Sequence, residues 1–373
     1  MPRLSRRSFA TSLSCAAFAA LAPARARSSQ SSGAITKALI DLSSNENPYG
    51  PSRSALEAMS AAQSVASRYP DAAEDRMREA IAQHHAAKPE QVVIGCGSSE
   101  VLRLCDAAFL GPGRTVIAAE PTFEAVLHYA KVTRAEGLTL PLTPDFRHDL
   151  RAMAKACDAR TGLVYVCNPN NPTGTIVRLD ALTAFLEQVP KTAVVVVDEA
   201  YHHFVEDKNY GSVTGLVERF PNLVVARTFS KIYGMAGMRL GYAIASEKNA
   251  EAMRAQASWS TVNIAVLEAG LACLKDPELP RQQRALLNGS RHALCRALEK
   301  DGRRYIPSET NFLMIDVGAD VEPLIPAFAA KGIKVGRRFA AMPQWLRVTI
   351  GKPEETEAFY RALGELVPAK AAA

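Results

Sequence analysis

The sequence lacks the features that mark several large classes of protein. It has seven cysteines in 373 residues, and no two of them form a C-x-x-C pair. It has no internal repeat, no low-complexity stretch and no apolar run long enough to span a bilayer. These absences argue against a disulfide framework, a zinc or other metal site, a repeat protein and a membrane anchor. Six cysteines are predicted to be buried free thiols: Cys96, Cys105, Cys157, Cys167, Cys273 and Cys295.

The body of the chain also has little net charge. The formal net charge is +6, but Arg3, Arg6, Arg7 and Arg25 lie in the first 26 residues, which hold no acidic residue. Without these four arginines the net charge is +2. A near-neutral body gives no electrostatic reason to expect a nucleic acid or an anionic membrane as partner.

The N-terminus carries a targeting pattern. Ser5 to Phe9 read SRRSF, a twin-arginine motif, and a mildly apolar, Ala-rich run with an A-x-A cleavage pattern follows. We predict a signal peptide over residues 1–26 and a mature chain that begins near Arg27. The protein would then be periplasmic or secreted, and cytoplasmic if the leader is not used.

Apolar runs typical of buried strands alternate with helical patterns through the middle of the chain. The run from Ala193 to Tyr201, for example, is apolar until it ends in acidic residues. This alternation predicts an α/β fold with a doubly wound, mainly parallel sheet and a site at the carboxyl edge of that sheet. The predicted domains are an N-terminal arm with part of the small domain (27–66), a large domain (67–265) and a small α+β C-terminal domain (266–373).

Lys231 is the centre of the stretch that carries the clearest chemistry. It follows an apolar strand pattern, Thr228 and Ser230 flank it, and Arg239 comes eight residues later. A lysine amine can form a Schiff base with an aldehyde, and hydroxyls and arginine are good donors to phosphate. The pattern indicates a phosphorylated aldehyde cofactor, and an exposed loop lysine beside a structural arginine is the alternative.

A glycine turn provides an anion site and also a rival interpretation. Ser98 and Ser99 follow Gly97 and are predicted to open a helix, whose free N–H groups attract anions. Gly95 and Gly97 after a strand, with Glu120 at the end of the next strand, also resemble a dinucleotide fingerprint that lacks its third glycine. A dinucleotide or adenosyl-methionine enzyme is therefore a rival, but it leaves the other motifs unexplained.

Five motifs stand in one order: NENPYGP, GSSE, NPNNPTG, DEAY and an SK pair followed by an arginine. Together they resemble the fold-type I pyridoxal-phosphate aminotransferases of class I/II, and more narrowly the histidinol-phosphate aminotransferases, over roughly residues 40–365. The resemblance implies a large mainly parallel domain, a smaller α+β domain and pyridoxal 5′-phosphate as cofactor. It also implies ping-pong transfer of an amino group from an α-amino acid or histidinol phosphate to a 2-oxo acid.

Two alternatives remain beside this interpretation. The same fold also serves lyases, decarboxylases and oxidases that act on amino acids with the same cofactor. A non-catalytic binding module on this scaffold would be expected to lose Lys231, Asp198 or Arg347, and all three are present.

The resemblance implies a role for each residue that contacts the cofactor. Lys231 would form the Schiff base and carry a proton, and Asp198 would keep the pyridine nitrogen protonated. Tyr201 and Asn171 would bond the phenolic oxygen of the ring, and Phe123 would stack on its face. The phosphate would be bound by a group of hydroxyls and one arginine: Ser98, Ser99, Thr228, Ser230 and Arg239.

The resemblance also implies contacts with the substrate and with a second subunit. Tyr69 would reach the phosphate in the neighbouring subunit, which implies a homodimer with shared active sites. Arg347 would bind the substrate α-carboxylate through its forked guanidinium, and Asn45 and Tyr49 would lie near the substrate side chain. The family's Val-Arg pair that reads a substrate phosphate is replaced here by VGRR, which makes Arg337, one residue displaced, the candidate.

Overall fold

The computed structural model describes residues 39–368, and the predicted signal peptide and cleavage site lie outside this range. The strands of this range are β1 (Ile40–Asp41), β2 (Val92–Gly95), β3 (Thr115–Glu120), β4 (Glu136–Pro141), β5 (Thr161–Cys167), β6 (Val194–Asp198), β7 (Leu223–Thr228), β8 (Gly241–Ala245), β9 (Tyr305–Ile306), β10 (Phe312–Asp316), β11 (Ile333–Lys334) and β12 (Trp345–Thr349). The α-helices of this range are α1 (Arg53–Ala62), α2 (Asp71–His84), α3 (Ser98–Phe109), α4 (Ala125–Thr133), α5 (Leu150–Ala156), α6 (Leu179–Gln188), α7 (Glu247–Arg254), α8 (Ile264–Leu274), α9 (Leu279–Lys300), α10 (Leu324–Ala330) and α11 (Pro353–Leu366).

Seven of these strands form one large sheet in the order β2-β8-β7-β6-β5-β3-β4. Neighbouring strands are parallel from β4 to β7, while β8 runs antiparallel to both β7 and β2. Parallel strands place their carboxyl ends on the same edge, so the loops after β3, β5, β6 and β7 meet there. The prediction of an α/β fold with a mainly parallel sheet is confirmed.

Strand β6 shows why the large sheet carries so few polar residues. Val195 and Val197 pack into the core cluster on one face of the sheet, and Val194 and Val196 pack into the cluster on the other face. Because helices cover both faces, the strand needs apolar side chains at successive positions instead of an alternating pattern. The apolar run stops at Asp198, where the strand reaches the carboxyl edge.

Two smaller sheets hold the rest of the strands. β10 pairs antiparallel with β9 and β12, and β1 pairs in parallel with β11. Hydrogen bonds from Leu42 N to Lys334 O and from Thr349 N to Leu42 O continue this contact beyond β1. The N-terminal segment is therefore attached to the later part of the chain. The large sheet ends at Ala245 and β9 begins at Tyr305, and the domain boundary near residue 265 remains a prediction.

Two sequence predictions about cysteines and membranes can be compared with the described residues. The six cysteines of this range are free, and three of them are buried, Cys105, Cys167 and Cys273, while the other three are partly exposed. Within residues 39–368, no helix has both the length and the apolar character that crossing a membrane requires.

Candidate active site

A cavity of about 410 Å³ opens at the carboxyl edge of the large sheet. The loops after β3, β5, β6 and β7, the first turn of α3, the segment after β1 and strand β12 all contribute to its wall. All but two of the residues predicted for the site line it: Asn45, Ser98, Ser99, Phe123, Asn171, Asp198, Tyr201, Thr228, Ser230, Lys231, Arg239, Arg337 and Arg347.

Lys231 lies three residues beyond the end of β7, between apolar side chains that fix its backbone. Phe229 and Ile232 are both buried in the core. The Nζ atom of Lys231 donates a hydrogen bond to the main-chain oxygen of Asn45 at 3.0 Å. Burial, followed by the positive charge of Arg347, lowers the pKa of Lys231 to about 8. A fraction of the amine is therefore neutral near pH 7, and a neutral amine is a nucleophile.

Asp198 presents a buried carboxylate to the cavity at the end of β6. Its Oδ2 atom accepts a hydrogen bond from the hydroxyl of Tyr165 at 2.9 Å, and its Oδ1 atom accepts one from the N–H of Ala200 at 3.0 Å. Burial raises the pKa of Asp198 to about 6, and the two hydrogen bonds oppose that rise. The carboxylate is thus mostly ionised at neutral pH, and it can pair with a protonated ring nitrogen.

Tyr201 and Asn171 place two polar groups beside the carboxylate and the lysine. The hydroxyl of Tyr201 accepts a hydrogen bond from Asn45 Nδ2 at 3.1 Å, and its ring packs edge-on against Phe312. Burial raises the pKa of Tyr201 above its ordinary range, so the hydroxyl keeps its proton. The Oδ1 atom of Asn171 accepts a hydrogen bond from Arg347 Nη1 at 2.7 Å.

Arg347 enters the cavity from β12 with its guanidinium largely fixed. Its Nη2 atom donates to the main-chain oxygen of Ser43 at 2.8 Å, and its guanidinium lies 5.2 Å from the ring centre of Phe339. The Nε atom is buried and has no hydrogen-bond partner among the described residues. A buried donor without a partner is costly unless a ligand satisfies it, and a carboxylate is a natural acceptor for it.

The opposite end of the cavity is suited to an anion. Ser98 and Ser99 form the first turn of α3, where main-chain N–H groups have no partner within the helix. Arg239 Nη1 donates to the hydroxyl of Ser230 at 3.4 Å and lies against Gly97. Gly97 has a φ of +80°, and a Cβ atom there would overlap the guanidinium of Arg239. A side chain at residue 97 would therefore close this end of the cavity.

These residues fit pyridoxal 5′-phosphate. The cavity combines an anion site with the buried carboxylate of Asp198, the amine of Lys231 with its lowered pKa, and the Nε–H of Arg347, which has no hydrogen-bond acceptor among the described residues. Each matches one part of such a molecule or of its substrate: the phosphate, the pyridine nitrogen, the aldehyde and an α-carboxylate. Among residues 39–368, no group of acidic, histidine and cysteine side chains is suited to hold a metal ion.

Arg337 also lines the cavity, and its neighbour explains why the arginine is displaced. The main-chain oxygen of Arg347 lies 2.7 Å from where a Cβ atom on Gly336 would stand, so residue 336 has no room for a side chain. The side chain of Arg337 instead lies over the ring of Phe339 and donates to Glu124 Oε2 at 2.8 Å. Arg337 is thus at the rim of the cavity, where a distal anionic group of a substrate could compete with Glu124.

Two of the residues predicted for the site, Tyr49 and Tyr69, lie outside this cavity. Tyr49 does not line the cavity, because the side chain of Asn47 accepts a hydrogen bond from the N–H of Tyr49 and closes a turn that leads the chain away, and its contact with a substrate stays a prediction. Tyr49 lines a separate groove between α9 and α11. Tyr69 is 85% exposed and does not line the cavity. The contact of Tyr69 with the phosphate site of a neighbouring subunit stays a prediction.

Several wall residues were not predicted from the sequence. They lie in segments next to the main motifs, and Cys167 is the last residue of β5: Ser44, Glu46, Thr122, Cys167, Ala200, Ala236 and Phe339. Tyr165, which contacts Asp198, was also missed, although a hydroxyl inside the apolar run TGLVYVC was a usable signal. A buried tyrosine hydroxyl needs a hydrogen-bond partner, and the end of the next strand is the nearest source of one.

The dinucleotide alternative finds no support in this geometry. Glu120, its candidate for binding a ribose, does not line the main cavity. Its carboxylate accepts a hydrogen bond from Thr139 on the neighbouring strand β4 at 3.0 Å. The guanidinium of Arg239 instead occupies the space beside Gly97.

Comparisons with known proteins agree with this geometry. Residues 37–363 match the family Aminotransferase class I and II. The histidinol-phosphate aminotransferase of Geobacillus thermodenitrificans is 39% identical over 338 residues, which are 89% of this chain and 91% of that protein. The histidinol-phosphate aminotransferase of Symbiobacterium thermophilum is 40% identical over 326 residues, or 87% and 90% of the two chains. The crystal structure of histidinol-phosphate aminotransferase from Sinorhizobium meliloti in complex with pyridoxal-5′-phosphate superposes with a TM-score of 0.83 at 26% identity, covering 89% and 91% of the chains.

Proposed function

The chain belongs to the aminotransferase class I and II family and is a pyridoxal-phosphate-dependent aminotransferase, and we propose its amino donor, the roles of its cavity residues, its subunit assembly and its location in the cell. Its amino donor is an α-amino acid or histidinol phosphate, and its acceptor is a 2-oxo acid. The two half-reactions follow each other in one cavity. The lyase, decarboxylase or oxidase alternative is not favoured, because the relatives at about 40% identity are aminotransferases.

The meeting of Lys231, Asp198 and Arg347 in one cavity carries this proposal. Lys231 follows β7, Asp198 ends β6 and Arg347 lies in β12 of a different sheet, so the fold and not the local sequence brings them together. A module that only bound a ligand would have no need of an amine with a lowered pKa beside a buried carboxylate.

Each residue then has a defined task. The cofactor supplies an aldehyde that condenses with amines and a ring that draws electrons from the substrate α-carbon. Lys231 Nζ would move the proton between that α-carbon and the aldehyde carbon of the cofactor, as a general base and then a general acid. Asp198 keeps the ring nitrogen protonated, and Arg347 holds the carboxylate of the amino acid or 2-oxo acid so that the reacting bond faces Lys231. Tyr201 and Asn171 form hydrogen bonds with the phenolic oxygen of the ring.

The remaining lining residues position the rest of the cofactor and the substrate. The phosphate is held by the N-terminal turn of α3, the end of β7 and the connection between β7 and β8: Ser98, Ser99, Thr228, Ser230 and Arg239. Phe123 packs against the ring face, and Asn45 faces the substrate side chain. Arg337 binds the phosphate of histidinol phosphate by exchanging its contact with Glu124, a role supported by its position at the rim.

The protein acts as a homodimer with shared sites. Tyr69 is almost fully exposed, although an aromatic ring gains by burial, and Trp259 is 96% exposed. Ser260 donates to Asp71 Oδ1 at 3.1 Å, which places the segment of Trp259 beside the start of α2, next to Tyr69. A second copy would cover these rings and bring Tyr69 to its phosphate site.

The twin-arginine motif supports export of the folded protein. This route carries folded, cofactor-loaded proteins, and a periplasmic or secreted location follows from it. The check is N-terminal sequencing of protein recovered from the periplasm, which should begin near Arg27. A periplasmic protein that begins at Met1 would refute the cleavage.

An absorbance titration of the purified protein tests the function. The protein should be yellow, lose that colour with an amino donor and regain it with a 2-oxo acid. The panel of donors should include histidinol phosphate, and the donor that acts at the lowest concentration identifies the substrate class. A yellow protein that releases ammonia or carbon dioxide without needing a 2-oxo acid would favour the lyase, decarboxylase or oxidase alternative.

A further inference from the structure

Tyr165 is a fully buried tyrosine in the middle of an otherwise apolar strand. It lies in β5 opposite Val196 of β6, and Asp198 follows two residues later on the same face of the sheet. Its hydroxyl donates to Asp198 Oδ2 at 2.9 Å. A phenylalanine would fill the same space in this core, so packing alone does not explain the hydroxyl.

The two oxygens of Asp198 are each engaged from outside the cavity. Tyr165 donates to one oxygen, and the main-chain N–H of Ala200 donates to the other. These two donors fix the plane of the carboxylate, which has lone pairs left to face the cavity. The main-chain donor is set by the strand end, whereas the tyrosine donor depends on one side chain.

We propose that Tyr165 is a positioning residue that keeps Asp198 ionised and directed at the ring nitrogen of the cofactor. The proposal rests on the role assigned to Asp198 under the proposed function. A hydroxyl donor stabilises the charged form of a buried carboxylate, and burial disfavours that form. Tyr165 therefore offsets the cost of placing a carboxylate in the core, without touching the cofactor itself.

The Tyr165→Phe variant removes the donor and keeps the ring. The holoenzyme should fold and remain yellow, but the pH midpoint of its absorbance change should rise by about half a unit to one unit. A ring nitrogen that is protonated for less of the time draws less electron density from the Lys231 nitrogen. The pKa of that nitrogen is then higher, and it keeps its proton to a higher pH. The half-reaction with an amino donor should slow by about tenfold, the effect of one hydrogen bond to a charged group.

Tyr360→Phe is a matched control. Its hydroxyl also donates to a carboxylate, Asp301 Oδ2 at 2.7 Å, but on α11 and away from the cavity. This variant should leave the absorbance midpoint and the half-reaction unchanged. Equal shifts in the Tyr165 and Tyr360 variants would overturn the proposal, since the effect would then be a general loss of stability.

A double variant separates this inference from the proposed function. Within an Asp198→Asn protein, Tyr165→Phe should cause no further change in the absorbance midpoint, because the group it acts through is gone. If Asp198→Asn alone leaves the absorbance and the half-reaction unchanged, the role of Asp198 fails. If Asp198→Asn has its effect and Tyr165→Phe has none, the inference about Tyr165 alone is refuted.

Discussion

The Nζ atom of Lys231 lies 3.0 Å from the main-chain oxygen of Asn45, although 186 residues separate them in the chain. Asn45 has a φ of +55°, and its side chain reaches Tyr201, so this one residue contacts two groups of the cavity. The contact means that the segment after β1 covers the lysine that follows β7. The site is therefore complete only when the N-terminal segment is seated on it.

Replacing the lysine should abolish turnover. Lys231→Ala removes both the amine that joins the cofactor and the base that moves the proton, so kcat should fall by at least about 10³-fold. The chain should still fold, because the side chain faces a cavity and not the core. Lys334→Ala, which alters a surface pair with Asp41, is the control and should keep full activity. Steady-state kinetics decide, and substantial activity in Lys231→Ala would remove the lysine from the mechanism.

Arg347 should act on both substrate binding and the titration of Lys231. Arg347→Lys keeps the charge and loses the fork, so KM for the 2-oxo acid, which carries a carboxylate, should rise by about tenfold or more. Burial and then the positive charge of Arg347 lower the pKa of Lys231 to about 8, so Arg347→Met, which removes that charge, should raise this pKa. The pH dependence of cofactor loading into the cofactor-free protein measures this. The midpoint should move to higher pH in the Met variant and stay in place in the Lys variant, and the reverse order would contradict the assignment.

Gly97→Ala should weaken the hold on the cofactor phosphate. The new methyl group would overlap the guanidinium of Arg239 and would also strain a backbone with a φ of +80°. Gly113→Ala is the control, because Gly113 has a φ of +79° and open space where the methyl group would go. Both variants carry about 1–3 kcal/mol of strain, but only Gly97→Ala should release cofactor more readily on dilution. Equal cofactor retention in the two variants would show that the overlap has no consequence.

Much of the site could be predicted because its groups belong to short local motifs. Lys231 with Arg239, and Asp198 with Tyr201, are close in sequence and follow apolar strands, so periodicity and chemistry identify them together. The missing parts depend on long-range packing. The local sequence does not show that the backbone of Arg347 packs against Gly336. Nor does it show that the strand of Asp198 lies beside Tyr165. Tyr49 was assigned by its motif, but a turn at Asn47 directs it away.

Mixing two inactive variants should restore activity if the sites are shared between subunits. In a hybrid of Lys231→Ala and Tyr69→Ala subunits, one site keeps the lysine of one chain and the tyrosine of the other. Co-purified hybrids with two different tags should recover up to about half of the wild-type activity, since one of two sites is intact. Hybrids of Lys231→Ala and Asp198→Asn should recover none, because both residues line the cavity of the same chain. No recovery with Tyr69→Ala would mean that Tyr69 does not serve a partner's site.

Asp106 should make the chain less stable as the pH rises. It is fully buried in α3, and neither carboxylate oxygen has a hydrogen-bond partner among residues 39–368. Burial raises its pKa from an ordinary value of 3.8 to about 8. Between these two values the folded chain holds a proton that the unfolded chain releases, so stability falls as the pH rises, by at most about 1.4 kcal/mol for each pH unit.

Asp106→Asn removes the titrating carboxyl group, so the stability of the variant relative to wild type should increase as the pH rises from 5 to 8. Denaturant unfolding midpoints at four pH values measure the difference, in which all other titrating groups cancel because both proteins share them. Asp180→Asn is the control: this exposed carboxylate has a lowered pKa and does not titrate in that range. If the Asp106→Asn and wild-type midpoints stay parallel across the range, the carboxyl group is not held protonated in the folded chain.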